Sequence, residues 1–190
     1  MGAGAMNERL TDVSLALILG WLCWGLVSLF VGGALGLPVG LVLGAGAAIL
    51  LRQNMVVRGL AALLEPIGIV LPLLMLRHML GAVGVSFAPF GALELFAFIL
   101  FYSAFLICTF ELMPFDPYRV GYRALPVGGM VLALCAYAAL SGHGIIAVIA
   151  VAGQAAWVLR IGSSNYFDHI LHVSLLPVAV VVLIARMIGL

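Results

Sequence analysis

The chain has 190 residues, of which 66% are hydrophobic and 8% charged, with eight basic side chains against seven acidic ones. Soluble domains carry about 25% charged and about 45–50% apolar residues, so a water-facing surface is excluded. Intrinsic disorder and nucleic-acid binding go with it, because there is neither a polar tract nor a basic patch.

What remains is an all-α, polytopic membrane helix bundle. It forms one integral-membrane domain over 1–190 with no soluble domain, its main partner is the lipid bilayer, and no nucleic acid is expected. Every basic residue is Arg. The three cysteines, Cys23, Cys108 and Cys135, lie far apart inside apolar runs, which argues against a disulfide framework or a metal cage.

The segment Met1 to Asp12 is short and mixed in charge and does not read as a signal peptide, so the first helix is expected to stay as an uncleaved anchor. Met6 stands where an acylation signal wants Ser or Thr, so Gly2 is not expected to be acylated. A bilayer core needs about 20 apolar residues per helix. Val13–Val31 supplies the first span, with Trp21 and Trp24 unusually central, and Leu37–Leu51 the second, with Pro38 suited to a first turn. Gly36, Gly40, Gly44 and Ala48 recur every four residues and share a face that lets a neighbouring backbone approach closely. That neighbour is expected inside the chain, with a homo-oligomer or a larger membrane complex as the alternative.

The third span, Leu60–Leu80, contains Glu65, Pro66, Gly68 and Pro72 and is expected to be kinked or broken at Pro66/Pro72. Phe87–Phe110 is the fourth and carries Glu94, expected about two turns below the surface and level with Arg77 as an ion-pair partner. After a polar connection, Val127–Leu140 and Ile145–Leu159 form a hairpin through Ser141-Gly142-His143-Gly144, and Tyr166–Ile188 completes about seven spans. Alternation puts Arg9, Arg52, Arg58, Arg119, Arg123 and Arg160 on one side and only Arg77 and Arg186 on the other. By the positive-inside rule the N-terminus is cytoplasmic and the C-terminus outside, in a bacterial plasma (inner) membrane.

Ionisable groups at membrane depth are costly and point to function. Glu65 precedes a proline that frees backbone carbonyls, an arrangement able to bind cations or relay protons, or else it caps the second half-helix. The densest polar cluster runs from Arg160 to His172. Within it Asn165 and Asp168 resemble a capping box opening the last helix, while Asp168, His169 and His172 beside Tyr166 look like a metal or acid–base group. In the polar connection Glu111–Pro126, the Pro114-Phe115-Asp116-Pro117-Tyr118 core is turn chemistry, and Arg119 and Arg123 set topology or hold an anionic group such as a lipid phosphate.

The histidines fall on opposite sides, His78 against His169 and His172, so a bis-histidine haem is not expected, and neither a cofactor nor a metal is predicted. The leading functional expectation is a small transporter or channel for an ion or small solute, with proton coupling. Glu65, Asp168, His169, His172, Tyr166, Asn165 and Glu94 are its candidate substrate- or proton-handling groups. The alternatives are an accessory subunit of a membrane complex and an embedded enzyme acting on a lipid or isoprenoid phosphate at the cytoplasmic face. The balance leans away from an enzyme, and no catalytic residue is assigned.

Overall fold

The computed structural model describes residues 3–50, 53–64, 68–110 and 114–189, with the backbone alone described at 3–11 and 60–64. The described elements are all helical: α1 Ala3–Val31, α2 Gly33–Leu50, α3 Met55–Leu64, α4 Val70–Ala82, α5 Ala92–Thr109, α6 Ala124–Ser141, α7 Gly144–Val158, α8 Phe167–Ile170 and α9 Leu175–Met187, with a 3-10 turn at Pro117–Tyr122. Among the described residues, five helices are long and apolar enough to cross a membrane, with Phe167–Met187 taken as one; Val70–Ala82 and Gly144–Val158 are shorter apolar helices. Large apolar side chains such as Leu26, Phe30, Val42 and Leu140 point outward, as lipid-facing helices require.

The first two helices form an antiparallel hairpin that reverses at one residue, Gly32, whose φ of 82° lies in the left-handed region. Because the reversal is so short, α2 begins at Gly33 rather than Leu37, and Pro38 sits inside the helix instead of its first turn. The four-residue stripe faces α1: Gly36 meets the Ser28 backbone, Gly40 the Trp24 backbone and Gly44 the Gly20 backbone. Ala48 closes the seam in a cluster with Leu15, Leu19 and Val57. The face expected to seat a neighbouring backbone therefore seats α1, and an oligomer using it would have to displace that helix.

Trp21 and Trp24 explain their central placement by tying the hairpin together and to α4. Trp24 Nε1 donates to the Gly33 carbonyl at 2.8 Å, and Trp21 Nε1 donates to His78 Nδ1 at 3.0 Å. The Trp24 ring meets the His78 ring edge-on, with centroids 5.0 Å apart.

The expected break in the third span lies between α3 and α4, where Gly68 and Ile69 are the described non-helical residues. Glu65 and Pro66 lie outside the described residues. Pro72 does not interrupt α4, because it occupies the first turn, where no intrahelical N–H bond is needed. The fourth span starts at Ala92 instead of Phe87, which moves Glu94 into the first helical turn.

The last span is also broken, just before Pro177, which falls in the first turn of its second half. α8 stops at Ile170, Leu171 is extended (φ −124°, ψ 144°), and α9 begins at Leu175. His172 Nδ1 bonds the Ser174 hydroxyl at 2.7 Å and accepts from the Ser174 N–H at 3.2 Å, holding the break open. The carbonyl of His169, freed by the interruption, accepts from Ile69 N–H at 2.9 Å. Two chain breaks therefore satisfy each other's backbone, as groups away from water must. Gly68 permits the approach, since a Cβ there would overlap the Asp168 carbonyl.

Candidate functional site

The meeting of the two breaks positions a polar cluster on the 3-10 turn. Asp116 starts that turn by accepting from Tyr118 N–H at 3.0 Å, and its other oxygen accepts from Arg119 Nε at 3.2 Å. Gly121 then packs against Asn165 and Phe167 so closely that no side chain fits. Asn165, fully buried, donates to the Tyr118 carbonyl at 2.8 Å and accepts from Phe167 N–H at 2.9 Å. The second of these bonds is a local turn leading into α8, whose capping residue is Tyr166 without a side-chain cap; the capping box expected of Asn165 and Asp168 does not form, since Asn165 N–H goes to the Ser163 hydroxyl. Tyr166 N–H donates to the Gly121 carbonyl at 3.1 Å, and the Tyr166 hydroxyl reaches the Ala150 carbonyl at 3.2 Å from within the core.

This docking presents Asp168 to Tyr118, whose hydroxyl donates to Asp168 Oδ2 at 2.8 Å. The Ser163 hydroxyl donates to the same carboxylate oxygen. Burial, then the neighbouring Asp168 carboxylate, pushes the Tyr118 phenol well above the ordinary tyrosine range, so it stays a donor at neutral pH. His169 turns the other way. Its ring is buried, and Nε2–H donates to the Ser163 carbonyl at 3.1 Å, which fastens the 163–169 loop on itself.

A cavity of about 260 Å³ opens beside this cluster, lined by Tyr102, Phe105 and Thr109 of α5, by Tyr118, and by Asp168 and His172. Tyr102 lies about 10 Å deeper along α5 than Thr109, so the cavity reaches well in from that face. Its wall is apolar and aromatic apart from one carboxylate, one imidazole and a few hydroxyls. Such a lining fits a small cation or a protonated solute better than an anion.

The three residues read as a metal or acid–base group are thus separated. Among the described residues no three of His, Cys, Asp and Glu are grouped to hold a metal ion. Asp168 and His172 share the cavity, although not the helix face that their spacing suggested, because α8 ends between them. His169, Tyr166 and Asn165 hold the loop. Arg119 and Arg123 line a separate groove of about 430 Å³ with Asp116, Phe115 and Cys108. Glu65 and Glu111 lie outside the described residues.

Glu94 belongs to the opposite end of the bundle, about 23 Å along α5 from Thr109. It does not pair with Arg77. Its carboxylate accepts from the Tyr137 hydroxyl and from Gly91 N–H and bonds His143 Nε2 at 2.9 Å. Arg77 instead donates to the Ala88 carbonyl at 2.8 Å and lies over the Phe90 ring, 4.8 Å from its centroid.

Sequence reasoning missed Tyr118 and Tyr102 around Asp168, and Tyr137 and His143 around Glu94. Tyr118 had a usable signal as a phenol directly after the Asp116-Pro117 that starts the turn; the other contacts depend on which helices adjoin. The chain matches no protein-family model, no curated protein and no solved structure.

Proposed function

We propose that the protein is a small integral membrane transporter or channel that handles a proton, a metal cation or a small cationic solute through the Asp168–His172 cavity. The bundle counts seven membrane segments in this reading, the five long apolar helices plus Val70–Ala82 and Gly144–Val158. The arginine asymmetry supports a cytoplasmic N-terminus and a cavity that opens to the cytoplasm.

One observation carries the reading. The break at Gly68–Ile69 and the break at Leu171–Ser174 meet through the Ile69–His169 hydrogen bond, and a cavity holding Asp168 and His172 opens there. Irregular backbone at membrane depth is tolerated where protein buries it or it lines a cavity, and paired helix breaks with ionisable groups are the usual construction of ion and solute sites in transporters. The embedded-enzyme alternative needs Arg119 or Arg123 beside Asp168 and His172; the arginines line a different groove, which gives that reading no support.

The test is reconstitution of the full chain into liposomes loaded with a pH-sensitive dye, with a panel of monovalent and divalent cations and small amines outside. Wild-type protein should carry at least one of them, and Asp168→Asn and His172→Ala should each reduce that flux at least tenfold. Absence of wild-type flux across the whole panel would shift the assignment to a subunit of a larger complex.

A further inference from the structure

Arg119 and Arg123 are positive charges that the transport site does not use, and they line one groove of about 430 Å³ with Asp116, Phe115 and Cys108. The 3-10 turn that carries Arg119 packs against both α5 and α6, two of the helices long and apolar enough to cross a membrane. The groove lies where α5 ends and α6 begins, so in a membrane it stands at the edge of the bilayer.

Arg119 is held in place with its donors still open. Asp116 accepts from Tyr118 N–H with one oxygen and from Arg119 Nε with the other. That ion pair engages the guanidinium through Nε alone, and the Arg119 side chain is 82% exposed. Among the described residues its two terminal amino groups have no partner, and together they form the fork that grips two oxygens of a phosphate. The turn is fastened on both sides of Arg119, by Asn165 bonding the Tyr118 carbonyl and by Tyr166 N–H bonding the Gly121 carbonyl. A donor set held this way loses little freedom when it binds.

Arg123 is exposed at the start of α6 and has no ion-pair partner among the described residues. The described lining therefore carries two guanidinium groups against one carboxylate, and that carboxylate is engaged by Arg119. Guanidinium keeps its charge at any working pH, so the groove stays positive without any group having to titrate. Such a surplus is matched by a ligand with one net negative charge.

The rest of the lining says which anion. Phe115 and Cys108 are apolar, a wall that a free phosphate ion does not need. Residues four, seven and eight positions before Cys108 on α5 share its face, and these are Ala104, Phe101 and Leu100, all exposed. They make an apolar stripe running from the groove along a spanning helix. Tyr122, exposed beside Arg123, is of the type that sits at the headgroup level. We propose that the groove binds a glycerophospholipid of one net negative charge, its phosphodiester between Arg119 and Arg123 and an acyl chain along Cys108, Ala104 and Phe101. A zwitterionic lipid fits less well, because its ammonium group finds no free carboxylate in the described lining. The site is independent of the transport reading, since no group of the Asp168–His172 cavity takes part.

The test is native mass spectrometry of the full chain in a neutral detergent, titrated with phosphatidylglycerol or with phosphatidylcholine of the same acyl chains. Phosphatidylglycerol should bind at least about fivefold more tightly, and Arg119→Gln and Arg123→Gln should each lower its affinity about fivefold. Neither substitution should change the affinity for phosphatidylcholine. Arg58→Gln, the same charge change outside the groove, should leave both affinities within about twofold. Equal binding of the two lipids, or an equal loss in Arg58→Gln, would overturn the site. Inorganic phosphate and glycerol 3-phosphate, at the lipid's own concentration, should displace no phosphatidylglycerol. Displacement by either would overturn the lipid assignment in favour of a soluble phosphate. Unfolding temperatures without added lipid report whether each variant is folded. Should Arg119→Gln fail to fold for want of its bond to Asp116, Arg123→Gln decides the matter alone.

Discussion

Two of the seams in this bundle are built from opposite materials. Between α1 and α2 the contact is made by leaving side chains out: Gly36, Gly40 and Gly44 bring α2 against the α1 backbone, and the buried face of α2 is made of these glycines and Ala48 alone. Where α4 meets α8, two broken helices bond through main-chain groups, with Asp168, His169 and His172 on the same short stretch. In lipid there is little hydrophobic force between helices, so close van der Waals contact and satisfied polar groups must do the joining. The first seam uses only contact and has one arrangement. The second uses polar groups that can exchange partners, which a site that binds and releases requires.

The largest expected effect breaks the first seam. Gly44→Leu places a side chain where the Gly20 backbone stands, and neither partner can yield without separating the helices. Overpacking of this kind costs about 3 kcal/mol or more. Thermal unfolding in detergent should show a loss of several degrees or failure to fold, whereas Gly46→Leu, whose Cβ would meet open space, should unfold like the parent. Equal behaviour of the two variants would mean that the glycine stripe does not set the hairpin.

The second seam should respond differently, through activity more than stability. Gly68→Ala puts a methyl group on the Asp168 carbonyl and pushes the two breaks apart. Cation flux should fall at least tenfold while the unfolding temperature moves less than for Gly44→Leu. Asp168→Asn should come next. It keeps the shape and loses the charge, so flux should fall about tenfold, and stability should drop by about 1–2 kcal/mol because the Tyr118 and Ser163 hydroxyls lose a charged acceptor. A variant that loses stability but keeps flux would reduce Asp168 to a loop fastener.

The contrast also explains what sequence could reveal. A seam made of glycines at four-residue spacing is a pattern along one strand of text, and the face of α2 was legible before any partner was known. Apolar runs likewise marked the five long apolar helices, and Gly68 lies in the first break. The break at Leu171–Ser174 had a mark that went unread, Pro177 in the first turn of α9, although its partner Ile69 arrives from another part of the chain. Glu94 was placed too deep because Phe87 reads as apolar, although the helix does not start until after Pro89 and Gly91. Its partners, Tyr137 and His143, lie on the far side of one loop and one helix. Depth is written in the sequence only as closely as the helix ends are; azimuth is not written at all, and every polar contact in the second seam depends on azimuth.

The smallest effect probes whether the two seams differ in their response to pH. Tyr118→Phe removes one neutral donor to Asp168 and should cost about 1 kcal/mol at neutral pH. Burial and the Asp168 carboxylate hold the Tyr118 phenol above its ordinary value, so the folded chain favours the protonated phenol more than the unfolded chain does. The stability from that difference is fully present below about pH 10, the unfolded value, and is lost as pH rises from there through the higher folded value. Unfolding temperature measured from pH 8 to pH 11 should therefore fall more steeply in the parent than in Tyr118→Phe, the two curves converging at the alkaline end. A variant carrying Gly44→Ala, with the phenol intact, should keep the parent's slope while lying below it throughout. If Tyr118→Phe and the parent ran parallel instead, the phenol would not be held by Asp168, and the polar seam would have no titrating member on its aqueous side.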